Sequence, residues 1–437
     1  MRKILLGVSS LAVVVLAVLF LVYPAWVVGS LVIDPRLRAT GESRFVPAWF
    51  LDATPRFTAW AEMYLSSRHA ASLHHQDVAG TEWPMFGAVF YLVTAEELHR
   101  RGAIDATRGR VRQAVDRAVE IVASPDTATW VITKWGPSYL ERENVFYRML
   151  LIMGFAAYDS MTGDQRYQAT MTEQRTSLAR ELMAAPFHVL DDYPGECYPN
   201  NVLWAVAAIQ RASRLSGTNS DDLVAAIMTA MNGPLKAQEG MPAFQVDARS
   251  GALLQGARGC GNSGILPFAA ELDVDKAVKW YRAYEKGFWK DTGWAVGFTE
   301  EPHGTAQDFM DVDSGPVVFG FGSVASAFGI GAAKSVGRFD HAAPLTMEAV
   351  AAAWPTPFGM ILPGAMGYLA ADSWSLGEVA LLYTMTRPVF TEETVPFTGR
   401  TPLMVWLLFI VYAGLGILVI RARIRFLIAA CRKTPGT

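Results

Sequence analysis

The chain has 437 residues, of which 51% are hydrophobic and only 18% charged, so it is more apolar than an ordinary soluble domain. Its 38 Lys and Arg against 41 Asp and Glu give a net charge of −3, which argues against a nucleic acid partner. Cys197, Cys260 and Cys431 are too few and too widely spaced for a disulfide scaffold or a structural zinc site.

The N-terminal region predicts a membrane anchor. No charged residue occurs from Ile4 to Ile33, and about 20 apolar residues already cross the hydrocarbon core of a bilayer as a helix. Arg2 and Lys3 precede this run, as in a secretory signal, but the run is too long for one and no Ala-x-Ala cleavage site follows it. We therefore predict an uncleaved signal anchor over residues 1–34, with a cleaved signal peptide as the alternative.

A second uncharged run, from Pro402 to Ile420, predicts a C-terminal transmembrane helix over residues 402–421. The basic residues that follow it are Arg421, Arg423, Arg425, Arg432 and Lys433. Because basic flanks stay in the cytoplasm, both termini are predicted there, with a basic tail over residues 422–437. Residues 35–398 would then form a domain on the periplasmic or exterior side of a bacterial inner membrane, and the lipid bilayer is the first partner that the sequence predicts.

Helical periodicity dominates from about residue 55 to residue 386, whereas the alternation typical of strands is scarce. The predicted helices are Pro84–Arg101, Arg108–Ala123, Glu141–Ser160, Asp164–Met183, Val202–Leu215, Asp221–Met231, Asp275–Phe288, Val317–Ala333 and Ser373–Met385. Short connections such as Thr162–Asp164 favour antiparallel helical hairpins. About a dozen helices without a long linker predict an all-α domain between the two transmembrane helices, an (α/α)6 barrel or helical toroid.

Five segments between the predicted helices are rich in Gly, Pro, aromatic and acidic residues. They are His74–Pro84, Trp130–Asn144, Asp191–Asn201, Gly256–Gly264 and Thr292–Gly322. Loops held by a rigid scaffold carry much of the chemistry of enzymes. In a helical toroid these loops would converge on one end of the barrel, where we expect the functional site.

The first candidate group lies at Glu141–Asn144, which we expect to open a helix. Glu141 and Glu143 are candidate acid/base groups, and Tyr147 falls near the face of Glu143, four residues further on. The alternative is that these carboxylates only stabilise the N-terminus of the helix through its dipole.

The densest polar and aromatic stretch runs from Asp191 to Asn201 and contains two prolines that stiffen it. Carboxylates and a thiol on one stiff loop can shift one another's pKa, so that one acid donates a proton while another stays ionised. An asparagine at its end is expected to cap the next helix. The candidate catalytic groups of this stretch are Asp192, Glu196 and Cys197, and its candidate substrate contacts are Tyr193, Tyr198, Asn200 and Asn201.

The third candidate group is the pair Asp311 and Asp313, ahead of a Gly-Pro turn. Two carboxylates beside such a turn are acid/base candidates, with helix capping or a metal loop as alternatives, although the spacing of an EF-hand is absent. His303 and Trp83 complete the candidate substrate contacts. Cys197 and Cys260 are predicted on the same oxidising side, so a disulfide between them is an alternative to free thiols.

Several of these segments resemble linalool dehydratase/isomerase, a cofactor-independent enzyme family of the bacterial periplasm with an (α/α)6-barrel fold. Glu141–Arg148 resembles its Glu-Lys-Glu-Asn-Ile-Met-Tyr-Lys helix, and Thr162–Tyr167 resembles its following Thr-Gly-x-x-Arg-Tyr turn. Asp192–Asn201 is similar to its Cys-Glu-Pro-Asp-Asn segment. Ser250–Ala252 and Asp311–Gly315 resemble two further pieces in the same order. The resemblance extends over about residues 83–335.

The chain departs from this family at two positions that matter for the reaction. Leu150 occupies the place of the family's histidine, and only Cys197 remains near its cysteine pair. In place of that histidine and cysteine pair, the chain has a set of carboxylates. The resemblance therefore supports the fold more than the reaction.

Three functions follow from these observations. The leading hypothesis is a membrane-anchored acid/base enzyme without a metal or cofactor, which the resemblance implies is a (de)hydratase or isomerase of an alcohol. Glu196 would protonate the leaving hydroxyl, while Asp313 or Asp192 takes a proton from the neighbouring carbon. The second is a glycan-processing hydrolase or lyase, since paired carboxylates and aromatic platforms suit glycosidic chemistry. The third is a non-catalytic membrane-anchored binding or assembly protein. The sequence leaves the oligomeric state open, a homo-oligomer included.

Overall fold

The computed structural model describes residues 2–72, 78–305 and 308–432. Helices dominate the described chain: Arg2–Ala17, Val18–Val22 (a π turn), Tyr23–Val32, Pro35–Thr40, Val46–Ser67, His69–Ser72, Val78–Arg100, Gly109–Ala123, Pro125–Ala128 (a 3₁₀ turn), Thr129–Trp135, Val145–Thr162, Gln168–Ala184, Pro199–Leu215, Asp221–Asn232, Gly259–Leu272, Val274–Phe288, Ser323–Ser335, Phe339–Ala353, Ile361–Ala371, Trp374–Thr386 and Leu403–Arg432. The prediction of a mostly helical chain is therefore confirmed.

Short antiparallel strands depart from the all-α prediction. The strands are Gln245–Val246 with Leu253–Gln255, Trp289–Asp291 with Val296–Phe298, Met310–Asp311 with Gly315–Val318 and Phe321–Gly322, and Pro355–Thr356 with Gly359–Met360. They are two to four residues long, too short to show an alternating pattern in the sequence.

Six helices form a closed ring in which each packs against the next. In order they are Val78–Arg100, Val145–Thr162, Pro199–Leu215, Gly259–Leu272, Ser323–Ser335 and Trp374–Thr386, and the last packs against the first. Val145–Thr162 shows why a ring helix is recognisable: it is apolar almost all round, and nearly all of its residues are buried.

A second set of helices packs on the ring. Gly109–Ala123 contacts the ring helices Val78–Arg100 and Val145–Thr162, and Gln168–Ala184 contacts Val145–Thr162 and Pro199–Leu215. These helices bury one face only: in Gly109–Ala123 the buried residues Val111, Val115 and Val122 recur at helical spacing. The packing of this helix thus follows the amphipathic pattern that its sequence displays.

Four predicted helix starts are wrong by four residues or more. The helices predicted from Pro84 and Asp164 begin at Val78 and Gln168. The other two errors have a cause in the local backbone. The helix predicted from Val317 begins at Ser323, because Phe319 and Gly320, with φ of 53° and 78°, form a tight turn between two strands. The helix predicted from Glu141 begins at Val145, because Glu143 and Asn144 both have left-handed backbone conformations. Glu143 therefore shares no helical face with Tyr147.

Among the described residues, two helical segments are long and apolar enough to cross a membrane, Gly7–Val32 and Leu403–Ala429. They pack against each other. Gly29 faces the ring of Phe409, and Gly416 faces Val22, so the two segments run antiparallel. The C-terminal helix continues to Arg432, beyond its predicted end at residue 421.

Candidate functional site

Glu82 is the central carboxylate of the candidate site. It lies in the first turns of the ring helix Val78–Arg100 and is half-buried. The hydroxyl of Tyr193 donates a hydrogen bond to Glu82 Oε1. Lys134 lies over the other side of Tyr193, with Nζ 3.8 Å from the ring centroid. Tyr193 thus lies between the carboxyl group of Glu82 and the ammonium group of Lys134. Packing of a hydrophobic core alone does not require such a polar arrangement.

Burial raises the pKa of Glu82 to about 7, and the charges of Asp313 and Glu196 act in the same direction. The hydrogen bond from Tyr193 and the charge of Lys134 oppose this shift. At neutral pH Glu82 is therefore divided between its acid and carboxylate forms, as a proton donor or acceptor should be.

Glu196 and Tyr198 come from the stiff loop that the sequence singled out. Tyr193 and Glu196 pair across a tight turn, with Gly195 in the left-handed conformation. The hydroxyl of Tyr198 donates to Glu196 Oε2 at 3.1 Å, and its ring packs edge-on against Phe244. The loop thereby places the hydroxyl of Tyr193 on Glu82 and a second carboxylate, Glu196, close enough for its charge to raise the pKa of Glu82.

Asp311 and Asp313 lie on a β-turn between two short strands, where they take different roles. Asp311 accepts a hydrogen bond from the N–H of Ser314 at 2.6 Å and forms an ion pair with Arg258 at 2.8 Å. Burial alone would raise the pKa of Asp311, but these hydrogen bonds and the charge of Arg258 outweigh it, so its pKa is lowered. Asp311 is therefore an ionised anchor of the turn.

Asp313 keeps solvent exposure, although the protein around it desolvates its carboxyl enough to raise its pKa. The charges of Asp311 and Glu196 raise this pKa further, whereas Arg258 lowers it. We call Glu82, Glu196 and Asp313 the acidic cluster, because the charge of each of the last two acts on Glu82.

The closed ring explains why these residues meet. Glu82 lies near the N-terminus of one ring helix, Tyr198 directly precedes another, and Arg258 directly precedes a third. The turn that holds Asp313 leads into a fourth, Ser323–Ser335. Helix N-termini also favour negative charge, which suits a cluster of carboxylates.

Asp192 and Cys197 are placed on the enclosed side of the same loop. Asp192 is fully buried, its Oδ2 accepts the N–H of Tyr198 at 2.9 Å, and burial raises its pKa well above the usual range. Cys197 is also fully buried, and its carbonyl accepts the N–H of Val246 at 3.0 Å. Both residues therefore stabilise the loop from its buried side.

The alternative of a disulfide is wrong, because Cys197 and Cys260 are both free and buried. The N–H of Cys260 donates to Glu300 Oε2 at 3.0 Å, and Glu300 in turn forms a buried ion pair with Arg258 at 2.8 Å. Burial raises the pKa of both thiols, so neither is poised as a thiolate nucleophile.

Glu141, Glu143 and Tyr147 are not brought to the acidic cluster by any described contact. Glu141 is exposed, whereas the N–H of Glu143 donates to Glu181 Oε2 at 2.7 Å. The side chain of Glu143 shares its surroundings with Asp191 and Arg249, and burial raises its pKa. Tyr147 is buried against the rings of Trp130 and Tyr139.

The remaining candidate contacts are spread out. Trp83 is partly buried against the core, and His303 is exposed. Asn200 and Asn201 lie inside the first turn of Pro199–Leu215 and therefore do not cap it. The residue at the capping position is Tyr198, and its side chain makes no capping hydrogen bond. His74, His75 and Asp77 fall outside the described residues.

Sequence reasoning missed four polar residues of the site. They are Glu82, Lys134, Arg258 and Glu300. All four lie in segments that the sequence marked as rich in Gly, Pro, aromatic and acidic residues, and that composition was the available signal. The composition does not determine which side chain of each segment points toward the site. That depends on the backbone conformation at the ends of the ring helices.

Within residues 2–72, 78–305 and 308–432, no group of three His, Cys, Asp or Glu side chains is arranged to hold a metal ion. What the described side chains offer is a half-protonated acid, two neighbouring carboxylates and several aromatic rings. Such a set can donate and accept protons on an uncharged substrate. The chain matches no model of a known protein family and no curated protein.

Proposed function

We propose that the protein is a membrane-anchored acid/base enzyme that acts on an uncharged alcohol by (de)hydration or isomerisation. The observation that carries this proposal is Glu82, an acid whose pKa is raised to about 7 beside two further carboxylates. Neighbouring carboxyl groups can supply both the acid and the base of one site.

In the proposed reaction, protonated Glu82 donates its proton to the hydroxyl of the substrate, the C–O bond breaks and water leaves. Asp313 or Glu196 then removes a proton from the adjacent carbon, and a double bond forms. Hydration is the reverse, and loss of water followed by its return at another carbon is isomerisation. The rings of Tyr193 and Tyr198 would stabilise the developing cation through their faces. Asp192 drops out as the base, because it is fully buried.

We also propose that the closed ring of six helices is the inner layer of an (α/α)6 barrel. The support is that each ring helix packs against its two neighbours and that a second set of helices packs on the ring. This arrangement agrees with the resemblance to linalool dehydratase/isomerase, whose acid/base residues are not all present here.

The chain is further proposed to lie in a bacterial inner membrane with its main domain facing the periplasm. Antiparallel packing of the two apolar segments puts the N-terminal end of the first and the basic C-terminal end of the second, residues 421–432, on the same side. Basic flanks favour the cytoplasm. An anchored enzyme is well placed for a substrate that partitions into lipid.

A glycan-processing hydrolase or lyase is the second candidate. It is favoured by the combination of a raised-pKa acid, Glu82, with the more exposed carboxylate Asp313 and flanking aromatic rings. The same three carboxylates would then serve as general acid and as nucleophile or base. A binding or assembly protein without catalysis is the third.

The test is turnover by the purified full-length protein in detergent, on linalool and geraniol and on a panel of bacterial glycans. Asp313→Asn is the test variant and Asp311→Asn the comparison, since Asp311 is held by Ser314 and Arg258. Turnover of the alcohols that Asp313→Asn abolishes supports the proposal. Glycan cleavage lost in the same variant supports the second candidate, and inactivity on both panels counts against both enzymes.

A further inference from the structure

We propose that the hairpin Pro355–Met360 and the helix Ile361–Ala371 enter the hydrocarbon core of the membrane beside the two apolar segments. This inference rests on the proposed membrane anchoring by the two apolar segments and does not depend on the proposed acid/base function. No charged residue occurs between Glu348 and Asp372, so the whole segment is compatible with lipid.

The depth of this segment follows from its contacts with Phe20. The indole N–H of Trp354 donates to the carbonyl of Phe20 at 2.8 Å, and the rings of Phe358 and Phe20 lie 6.4 Å apart. Phe20 is midway along Gly7–Val32, whose 26 residues span about 39 Å. Because the hydrocarbon core is about 30 Å thick, Phe20 lies inside it wherever the core is placed along this segment.

The outward face of Ile361–Ala371 has the composition that lipid requires. Leu362, Met366 and Leu369 recur at helical spacing and are 51%, 43% and 84% exposed, and Phe358 in the hairpin is 59% exposed. An apolar patch of this kind is rarely exposed to water on a soluble protein. Phe358, in the hairpin that leads into this helix, contacts Phe20 of the apolar segment, so the acyl chains of the bilayer are the occupant that we infer.

The polar backbone of this segment is satisfied within the protein, as membrane depth demands. The N–H of Met360 donates to the carboxylate of Glu378, which Arg56 pairs. The N–H of Ile361 donates to the carbonyl of Trp354 at 3.2 Å, and the hydroxyl of Thr356 donates to the carbonyl of Gly359 at 2.7 Å. The irregular turn therefore needs no water from outside.

The experiment places a fluorescent label at Leu369→Cys in the full-length protein with Cys431→Ser, since Cys197 and Cys260 are buried. The matched control carries the label at Leu254→Cys, which is 57% exposed on a short strand. Both are reconstituted into phosphatidylcholine and phosphatidylglycerol nanodiscs, with or without bromine on the acyl chains. We expect brominated lipid to quench the label at position 369 and not the label at position 254.

Two results would overturn the proposal. Quenching of the label at position 369 by aqueous iodide, with no effect of brominated lipid, would place the helix in water. Protection from both quenchers would mean that protein, such as a second copy of this chain, covers the face. Met366→Cys repeats the measurement on the same face, so a variant that fails to fold does not decide the outcome.

Discussion

Glu82 and Glu348 both have raised pKa values, but their surroundings differ. Burial raises the pKa of Glu82 to about 7 and that of Glu348 to about 8. Glu82 keeps partial access to solvent, with Tyr193 on its carboxyl and the charges of Glu196 and Asp313 nearby. Glu348 is 7% exposed and accepts the N–H of Val296 at 3.0 Å. A raised pKa therefore reports desolvation, and a proton that can reach a substrate also requires access and neighbouring groups.

The largest expected difference between Glu82 and Glu348 is the effect of their substitution on turnover. We expect Glu82→Gln to lower kcat by about 10²–10⁴-fold, because an amide cannot donate the proton of an acid. Glu348→Gln, the matched control, should leave kcat close to that of the wild type. The measurement is initial rate at pH 6 on whichever substrate the protein turns over. Equal losses in both variants would mean that both act through folding and would remove Glu82 from the catalytic role.

The second-largest effect is on stability and arises from Glu348. Because the pKa of Glu348 is about 8 in the folded state and near 4.5 when unfolded, the folded state binds more protons between these values. Its contribution to stability is therefore complete below about pH 4.5 and is lost as the pH rises through about 8. Glu348→Gln should remove up to a few kcal/mol of this decline.

Thermal unfolding in detergent at pH 5 and pH 8 measures this effect. The wild type should lose more stability than Glu348→Gln between the two pH values. A constant difference between the proteins at both pH values would show that Glu348 does not titrate in this range.

The third effect distinguishes the two sides of the site loop. Asp192→Ala should lower the free energy of unfolding by about 1–3 kcal/mol, because the N–H of Tyr198 loses its partner. Asp192→Asn keeps an acceptor oxygen and should lose less. Exposed Asp313→Asn should leave the stability nearly unchanged. Chemical denaturation in detergent checks this order, and a larger loss for Asp313→Asn than for Asp192→Ala would reverse the roles that we assign to them.

The sequence predicts the helices well wherever their apolar pattern is strong, as in Gly109–Ala123 and Val274–Phe288. It fails at Val317–Gly322, where apolar residues that resemble a helix are turned into strands by a two-residue bend at Phe319 and Gly320. For the site, the sequence finds the loop with Glu196 but treats Asp192 as an equal candidate, because it does not show that Asp192 is buried while Glu196 keeps partial exposure. Glu82 is missed because only the ring of helices brings it to the loop.

The smallest effect is a shift in the pH profile that depends on Tyr193. A general acid works while protonated, so turnover should fall as the pH rises through the pKa of Glu82, about 7. The hydrogen bond from Tyr193 lowers this pKa, so Tyr193→Phe should move the alkaline limb upward by about one unit or less. Tyr198→Phe is the control, because Tyr198 bonds to Glu196. An unmoved limb in Tyr193→Phe, with turnover otherwise retained, would mean that the limb reports another group than Glu82.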